Sequence, residues 1–182
     1  LSTYYYKVAA VNSSGTGTLS SVGSALLSAS IQGSETYNAH TYAMTSAAMT
    51  FAEAKAAAAA VGGYLTTVNT KAENTFLTNE FYAAYGNKAL WIGANDIATE
   101  NTWVWDNGTT SGDSGVTDNI CGTGCNPKST AEWPDGTRKW NWSVSGEPND
   151  SGGEDCANIT RSDGTWNDLD CDRDQYGIIE FD

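Results

Sequence analysis

The sequence predicts an α+β fold with two helices, small antiparallel sheets and a long irregular region, preceded by a β-hairpin. The helices are predicted by two Thr residues that are each followed three residues later by Glu, the pattern that caps helix starts. The strands are predicted by alternating or apolar runs between turn residues. The stretch 95–153 is rich in Gly, Asn, Asp, Ser and Trp and shows little periodicity. So long a loop region inside a domain indicates ordering by function or by ions.

The N-terminal residues predict the hairpin. Residues 1–12 alternate like a strand, residues 12–15 (Asn-Ser-Ser-Gly) are typical of a turn, and a weaker strand follows to about Ala25. Residues 4–15 resemble the end of a fibronectin type III domain, and on this resemblance 1–28 are its C-terminal strands. Two strands do not form a stable sandwich alone. We therefore expect 1–28 to be a truncated domain or a strand pair that assembles with a neighbour.

Small polar residues at 29–35 predict a linker, and we assign 36–182 to one domain. Thr50 is expected to cap a helix that runs through an Ala-rich stretch to Val61. Thr70 is expected to cap a second helix that ends near Gly86. The apolar face of the second helix is predicted to contain Phe76, Leu77, Phe81 and Ala84.

The strands of this domain are short, and we expect them near 36–44, 64–68, 89–93, 157–160 and 176–180. Trp91 and Trp166 are expected in the core, and Trp103 and Trp105 half-buried. The only histidine, His40, is expected to be structural. Three further tryptophans are expected to fill the loop interior, although one could stack on a ligand: Trp133, Trp140 and Trp142.

Composition limits the class of protein. The formal net charge is −13, which argues against nucleic-acid binding and against docking on anionic lipid. The charge suits an acidic extracellular surface, and the alternative interpretation is an acidic soluble protein without a special binding role. There is no apolar run of about 18 residues, so no membrane insertion is expected. The chain opens in a strand-like pattern without an initiator Met, so we expect it to be a piece of a longer protein.

The four cysteines are Cys121, Cys125, Cys156 and Cys171. They allow three pairings, and proximity favours 121 with 125 and 156 with 171. The second pairing would close a loop of about 15 residues, worth roughly 3 kcal/mol. A four-thiolate metal site is the alternative, but the surroundings are carboxylates. Disulfides predict an extracellular or cell-surface location.

Residues 147–168 contain a dense set of oxygen donors in three short motifs. They read Glu-Pro-Asn at 147–149, Glu-Asp-Cys at 154–156 and Trp-Asn-Asp at 166–168. Carboxylate and amide oxygens at this density suit a hard cation, Ca²⁺ above all.

These motifs, in this order after the two capped helices and Trp91-Ile92-Gly93, resemble a sugar-binding C-type lectin domain over about 34–182. The resemblance implies a C-type lectin-like fold with a calcium-ordered loop region and two bound Ca²⁺ ions. It implies a cis bond between Glu147 and Pro148. It places Ca²⁺ and sugar together on Glu147, Asn149, Glu154, Asn167 and Asp168. Carboxylates would accept hydrogen bonds from sugar hydroxyls and amides would donate to them.

In that family Glu-Pro-Asn accompanies mannose-type ligands, including fucose, glucose and N-acetylglucosamine. The resemblance also implies an auxiliary calcium site formed by Asp96, Glu100, Asp150 and Asp155. The alternative for Asp96 and Glu100 is that they are solvated loop charges. Three departures from the family's pattern are visible. The segment from Glu147 to Glu154 is about one residue shorter than in mannose binders of the family. The family's long disulfide is absent, with alanines and Ile178-Ile179 in its place, and the insertion at 106–140 is long.

The first functional hypothesis is calcium-dependent carbohydrate binding by an adhesion or targeting module, with cell-surface or matrix glycans as partners. The alternatives are a protein- or surface-binding domain, or a subunit of an extracellular filament that self-associates through 1–28, with calcium in a structural role. A glycoside hydrolase is disfavoured because calcium ligation would leave no general acid. The chain is therefore not expected to be an enzyme.

Overall fold

The computed structural model describes residues 31–105, 141–143 and 146–181, together with the backbone of four short N-terminal strands. In these strands β1 pairs antiparallel with β4, and β2 pairs with β3 so that Asn12 lies opposite Gly15. This pairing confirms a hairpin around the turn at 12–15. The strands are β1 Tyr4–Tyr6, β2 Val11–Asn12, β3 Gly15–Thr16 and β4 Gly23–Ala25.

The centre of the domain is an eight-stranded sheet in the order β11-β10-β8-β12-β6-β5, with β7 paired to β12 and β9 to β8. The α+β class is confirmed. Where small antiparallel sheets were expected, one mixed sheet forms because β12 pairs with β6, β7 and, in parallel, β8. The strands are β5 Ile31–Tyr37, β6 His40–Thr45, β7 Tyr64–Leu65, β8 Leu90–Asn95, β9 Val104–Trp105, β10 Cys156–Ile159, β11 Trp166–Leu169 and β12 Tyr176–Phe181.

Two expectations before the first helix were wrong. The predicted linker 29–35 is a strand from Ile31 onward, because β5 pairs with β6. The predicted single strand at 36–44 is interrupted by a two-residue turn, in which Asn38 and Ala39 have φ of 49° and 71°. A turn with positive φ at both central residues joins twisted antiparallel strands.

The first helix, α1, spans Phe51–Ala60 and is capped as predicted. The Thr50 hydroxyl accepts from the backbone N–H of Glu53, whose carboxylate accepts from the N–H of Thr50. Ala54 and Ala58 are fully buried, and a Cβ built on Gly177 in β12 would lie 3.0 Å from the Ala54 Cβ. Small residues therefore let α1 pack closely on the sheet.

The second helix, α2, spans Lys71–Leu77 and continues as a π-helical segment at Thr78–Ala83. Thr70 caps it by accepting from the N–H of Glu73 at 3.1 Å. Leu77 and Phe81 are buried as predicted, but Ala84 is exposed and Tyr82 is buried. The wider π-helical turn changes the angular spacing of the side chains, so an α-helical extrapolation fails at Ala84.

The tryptophans form much of the core. Trp91 and Trp166 are fully buried, as predicted. Trp103 was expected to be half-buried but is buried, because its ring packs edge-on against Trp142 at 4.6 Å between centroids. Trp105 is half-buried as expected. Trp133, Trp140 and the 106–140 insertion lie outside the described residues.

Candidate functional site

The hairpin of β10 and β11 supports the candidate site. The Trp-Asn-Asp motif, for which the sequence predicted no secondary structure, forms β11. Its Asn167 and Asp168 lie opposite Asn158 and Ala157 of β10. Cys156 at the start of β10 is disulfide-bonded to Cys171, with their Cα atoms 5.2 Å apart. This confirms the predicted pairing and excludes these two thiols from a metal site; Cys121 and Cys125 lie outside the described residues.

Asp168 is the most buried acidic group of the site, with 0% of its surface exposed. Its Oδ2 accepts from the backbone N–H groups of Asn149 and Asp150, at 2.8 and 2.7 Å. Its Oδ1 is buried and has no hydrogen-bond partner within the described part of the chain. Asp168 therefore fixes the loop after Pro148 while leaving one oxygen unsatisfied.

The loop held by Asp168 contains the Glu-Pro-Asn motif. The peptide bond between Glu147 and Pro148 is cis, as expected, and the Asn149 side-chain amide donates to Glu147 Oε2. Burial raises the pKa of Glu147, and the charge of Asp168 adds to the effect. The motif thus presents a carboxylate and an amide side by side.

Glu154 closes the other side of this loop. Its Oε2 accepts from the N–H of Ser151 at 3.2 Å, and its own N–H donates to Asp150 Oδ1 at 3.0 Å. Burial raises the pKa of Glu154, followed by the charge of Asp168. Hydrogen bonds therefore link Asn149 to Glu147 and to Asp168. Glu147 and Glu154 both lie close enough to Asp168 for its charge to raise their pKa values.

Asn167 differs from the other predicted residues. Its side-chain amide donates to the backbone carbonyl of Asp168, and within the described segments it makes no hydrogen bond to Glu147 or Glu154. The structure therefore puts Asn167 beside the site through β11 alone.

A second acidic group lies at the end of β8. Carboxylate oxygens of Asp96, Glu100 and Asp155 all lie within 4.8 Å of one another. Asp96 is 2% exposed; its Oδ2 accepts from the N–H of Asn101 at 2.8 Å, and its Oδ1 is buried with no partner among the described residues. Three of the four residues predicted for the auxiliary site are thus together.

The ionised carboxylates of this second group are destabilised by burial and by repulsion from one another. Burial raises the pKa of Asp96 to about 7, against an ordinary value of 3.8, and the charges of Glu100 and Asp155 contribute. The pKa of Glu100 is also raised, by desolvation and then by Asp150 and Asp155. Asp150 therefore lies close enough for its charge to raise the pKa of Glu100, which agrees with its predicted place in the auxiliary site.

The residues fit a hard cation. Buried carboxylate oxygens without donors, crowded by like charges, are satisfied by a metal ion that takes oxygen ligands. Glu147, Asn149, Glu154 and Asp168 could hold one ion, and Asp96, Glu100, Asp150 and Asp155 a second.

One supporting residue was missed by sequence reasoning. Asn74 of α2 is buried and bonds to the indole of Trp166 and to the carbonyl of Gly164. The sequence contained a sign of this role, because Asn74 lies on the same helical face as Leu77 and Phe81, at spacings of three and four. A polar side chain on such a face indicates a specific buried hydrogen bond.

Comparisons with known proteins agree with this fold. The family model for the Lectin C-type domain matches residues 47–179. C-type lectin domain family 4 member M from Nomascus concolor is 32% identical over 120 residues, covering 66% of this chain and 23% of that protein. The chain therefore spans less than a quarter of the length of this curated relative.

Solved structures give the same result. The human scavenger receptor C-type lectin carbohydrate-recognition domain is 25% identical with a TM-score of 0.59, over 82% of this chain and 95% of that one. A calcium-independent type II antifreeze protein is 19% identical with a TM-score of 0.59, over 82% and 91%. The latter likeness concerns the fold alone.

The fold and the acidic loop define a ligand-binding domain of the C-type lectin class. The chain belongs to the C-type lectin domain family. Domains of this family bind carbohydrate or protein and are generally not enzymes. Among the described residues, no helix has the length and apolar character needed to cross a membrane.

Proposed function

We propose that this domain binds carbohydrate in a calcium-dependent manner. The observation that supports this most is a pair of buried carboxylate oxygens, one of Asp168 and one of Asp96, that have no hydrogen-bond partner in the described part of the chain. Each lies near further acidic side chains. Ca²⁺ would coordinate both the protein oxygens and the sugar hydroxyls. We assign the principal ion to Glu147, Asn149, Glu154, Asn167 and Asp168, and the auxiliary ion to Asp96, Glu100, Asp150 and Asp155.

The side chains of the principal group suit a pair of neighbouring hydroxyls. The carboxylates of Glu147 and Glu154 accept from them, and the amides of Asn149 and Asn167 donate to them. The Glu-Pro-Asn order at 147–149 supports mannose-type ligands, namely mannose, fucose, glucose or N-acetylglucosamine.

Such a module would serve adhesion or targeting within a larger extracellular protein. A sugar held by two hydroxyls binds weakly, so repeated display on glycans of cells or matrix would supply avidity. The antiparallel pairs at 4–25 support the assignment of residues 1–28 to the end of a fibronectin type III-like domain. The lectin unit, predicted at 36–182, then begins earlier, with β5 at Ile31.

The test is retention on immobilised mannose in Ca²⁺ and in EDTA, followed by a glycan array under both conditions. We expect retention in Ca²⁺ that EDTA abolishes. The double variant Glu147→Gln with Asn149→Asp should lose mannose and gain affinity for galactose, because the order of donor and acceptor is exchanged. Retention that EDTA does not change would contradict the proposal.

The rival function is protein or surface binding through the same fold, since an antifreeze protein shares the fold. A glycan array without any calcium-dependent signal, in a chain that binds Ca²⁺, would favour it. A filament subunit is tested separately by size-exclusion of the chain with and without residues 1–28, where only a subunit loses self-association on deletion.

A further inference from the structure

Asn74 in α2 contacts the strand that contains Asn167 and Asp168. The side chain is 3% exposed, and its Oδ1 accepts from the indole Nε1 of Trp166 at 2.8 Å. Its Nδ2 donates to the carbonyl oxygen of Gly164 at 3.1 Å. One amide therefore bonds both to the turn between β10 and β11 and to the first residue of β11.

The turn between β10 and β11 packs directly against α2 at Gly164. Gly164 has φ of +74°, and a Cβ at that position would lie 2.6 Å from Asn74 Nδ2 and 2.5 Å from Thr78 Oγ1. The carbonyl of Gly164 accepts a second bond from the Asn141 side chain at 2.6 Å. Only glycine combines this conformation with this close approach.

Trp166 is held on its other sides by aromatic rings. Trp105 and Trp142 pack edge-on against it, each with 5.8 Å between centroids. The indole N–H is the one polar group of the side chain, and Asn74 determines how that group is satisfied. A change at Asn74 therefore alters the orientation of Trp166 rather than only its packing.

The orientation of Trp166 reaches the site through β11. Asp168 follows two residues later, so it projects from the same face of the strand. Its carboxylate holds the backbone of Asn149 and Asp150. We propose that Asn74 is a positioning residue for the metal- and sugar-binding group, acting through Trp166 without contact with either ligand. The identity of those ligands rests on the proposed function, but the coupling from Asn74 to Asp168 does not.

The test is Asn74→Leu, which fills similar space but removes the acceptor for the indole N–H of Trp166. The Gly164 carbonyl loses one of its two hydrogen bonds and keeps the one from Asn141. Ala58→Gly in α1 is the control, because it destabilises a buried helix position that makes no hydrogen bond to β11. The first measurement is the backbone amide chemical shifts of Asn149 and Asp150 by NMR in metal-free protein. The second is Ca²⁺ affinity by calorimetry, at a temperature where every variant is folded.

We expect Asn74→Leu to move both amide resonances and to weaken Ca²⁺ binding by about tenfold, as for other residues that orient metal ligands. Ala58→Gly should change neither. The double variant Asn74→Leu with Trp166→Phe should weaken binding no more than the stronger single variant, because both act through one hydrogen bond. If Asn74→Leu does not fold, Asn74→Ala, which also removes the acceptor for the indole but adds no bulk, takes its place.

Unchanged amide resonances in the Asn74 variant would overturn the proposal and leave Asn74 a core residue only. A wild-type chain that binds no Ca²⁺ would instead overturn the proposed function. In that case the metal-free resonances of Asn149 and Asp150 still decide whether Asn74 positions them.

Discussion

The domain contains two groups of buried carboxylates that differ in how their oxygens are paired. The first, which we term the closed cluster, consists of Glu73 and Glu180. Glu73 accepts from the Tyr42 hydroxyl and the Asn69 N–H, both at 2.7 Å. Glu180 Oε2 accepts from the N–H of Thr67 at 3.0 Å, and its Oε1 lies 3.1 Å from His40 Nδ1.

The second group, the open cluster, contains Asp96 and Asp168, together with the carboxylates around them. Each of these two residues has one well-bonded oxygen and one buried oxygen that no described residue satisfies. Burial and negative charge are common to both clusters, so neither property identifies a metal site. The unsatisfied oxygen separates the two clusters and supports the proposed metal sites, because burying a charge without a partner is costly.

The largest expected effect is that of Asp168→Asn on Ca²⁺ affinity. The amide oxygen can still accept from Asn149 and Asp150, but an NH₂ group replaces the free oxygen and a charge is lost. We expect binding to weaken by at least about 100-fold, because the charge of the ligand set controls affinity. Calorimetric titration measures it.

The matched control is Glu180→Gln in the closed cluster, which removes one buried charge in the same way. It should leave Ca²⁺ affinity within experimental error. Equal losses in the two variants would mean that the clusters are not functionally distinct.

The next effect concerns stability and should be confined to the closed cluster. Tyr42→Phe removes the hydroxyl that donates to Glu73, leaving a buried carboxylate oxygen unpaired. We expect a loss of about 2 kcal/mol in the free energy of unfolding, measured by urea denaturation. Ca²⁺ affinity should not change. A loss of Ca²⁺ binding alongside the stability would show that the two clusters are coupled.

The sequence predicted the open cluster better than the closed one, for a physical reason. Residues 147–168 lie close together in the chain, so their motifs and the favoured Cys156–Cys171 pairing were visible in the sequence. The resemblance that these motifs carry implied the cis bond and placed the distant Asp96 in the second acidic group. Glu73 and Glu180 are brought to one region only by the pairing of distant strands. Asn74 was missed similarly, because its partners Gly164 and Trp166 are about 90 positions away.

The fold was predicted correctly where local sequence patterns determine it, and less well where distant contacts do. Caps at Thr50 and Thr70 act within four residues and were predicted correctly. The extent of β5 depends on its pairing with β6. The π-helical segment contains Tyr82, whose hydroxyl donates to the distant carbonyl of Thr160. Tertiary contacts decide such features, and propensity does not contain them.

A smaller effect is the pH dependence of stability in metal-free protein. Burial raises the pKa of Asp96 to about 7, above its ordinary 3.8, so between these values the folded state binds a proton that the unfolded state does not. The free energy of unfolding therefore falls as pH rises through this window. Asp96→Asn should remove that part of the fall, as measured by urea denaturation in EDTA. An unchanged profile would contradict the assigned burial of Asp96.

The smallest expected effect is that of Glu180→Gln on the same pH profile. Burial raises the pKa of Glu180, and the charge of Glu73 adds to it, so ionised Glu180 also lowers stability as pH rises. Glutamine keeps an acceptor for Thr67 and offers a donor to His40, so the profile should flatten slightly without a loss of stability at low pH. Because Glu180 is satisfied by protein groups, this flattening should be the same in Ca²⁺ and in EDTA. The effect of Asp96→Asn should instead reverse in saturating Ca²⁺, where the ionised carboxylate is the stabilising form. If Ca²⁺ altered both variants alike, hydrogen-bond satisfaction would not be what separates the two clusters.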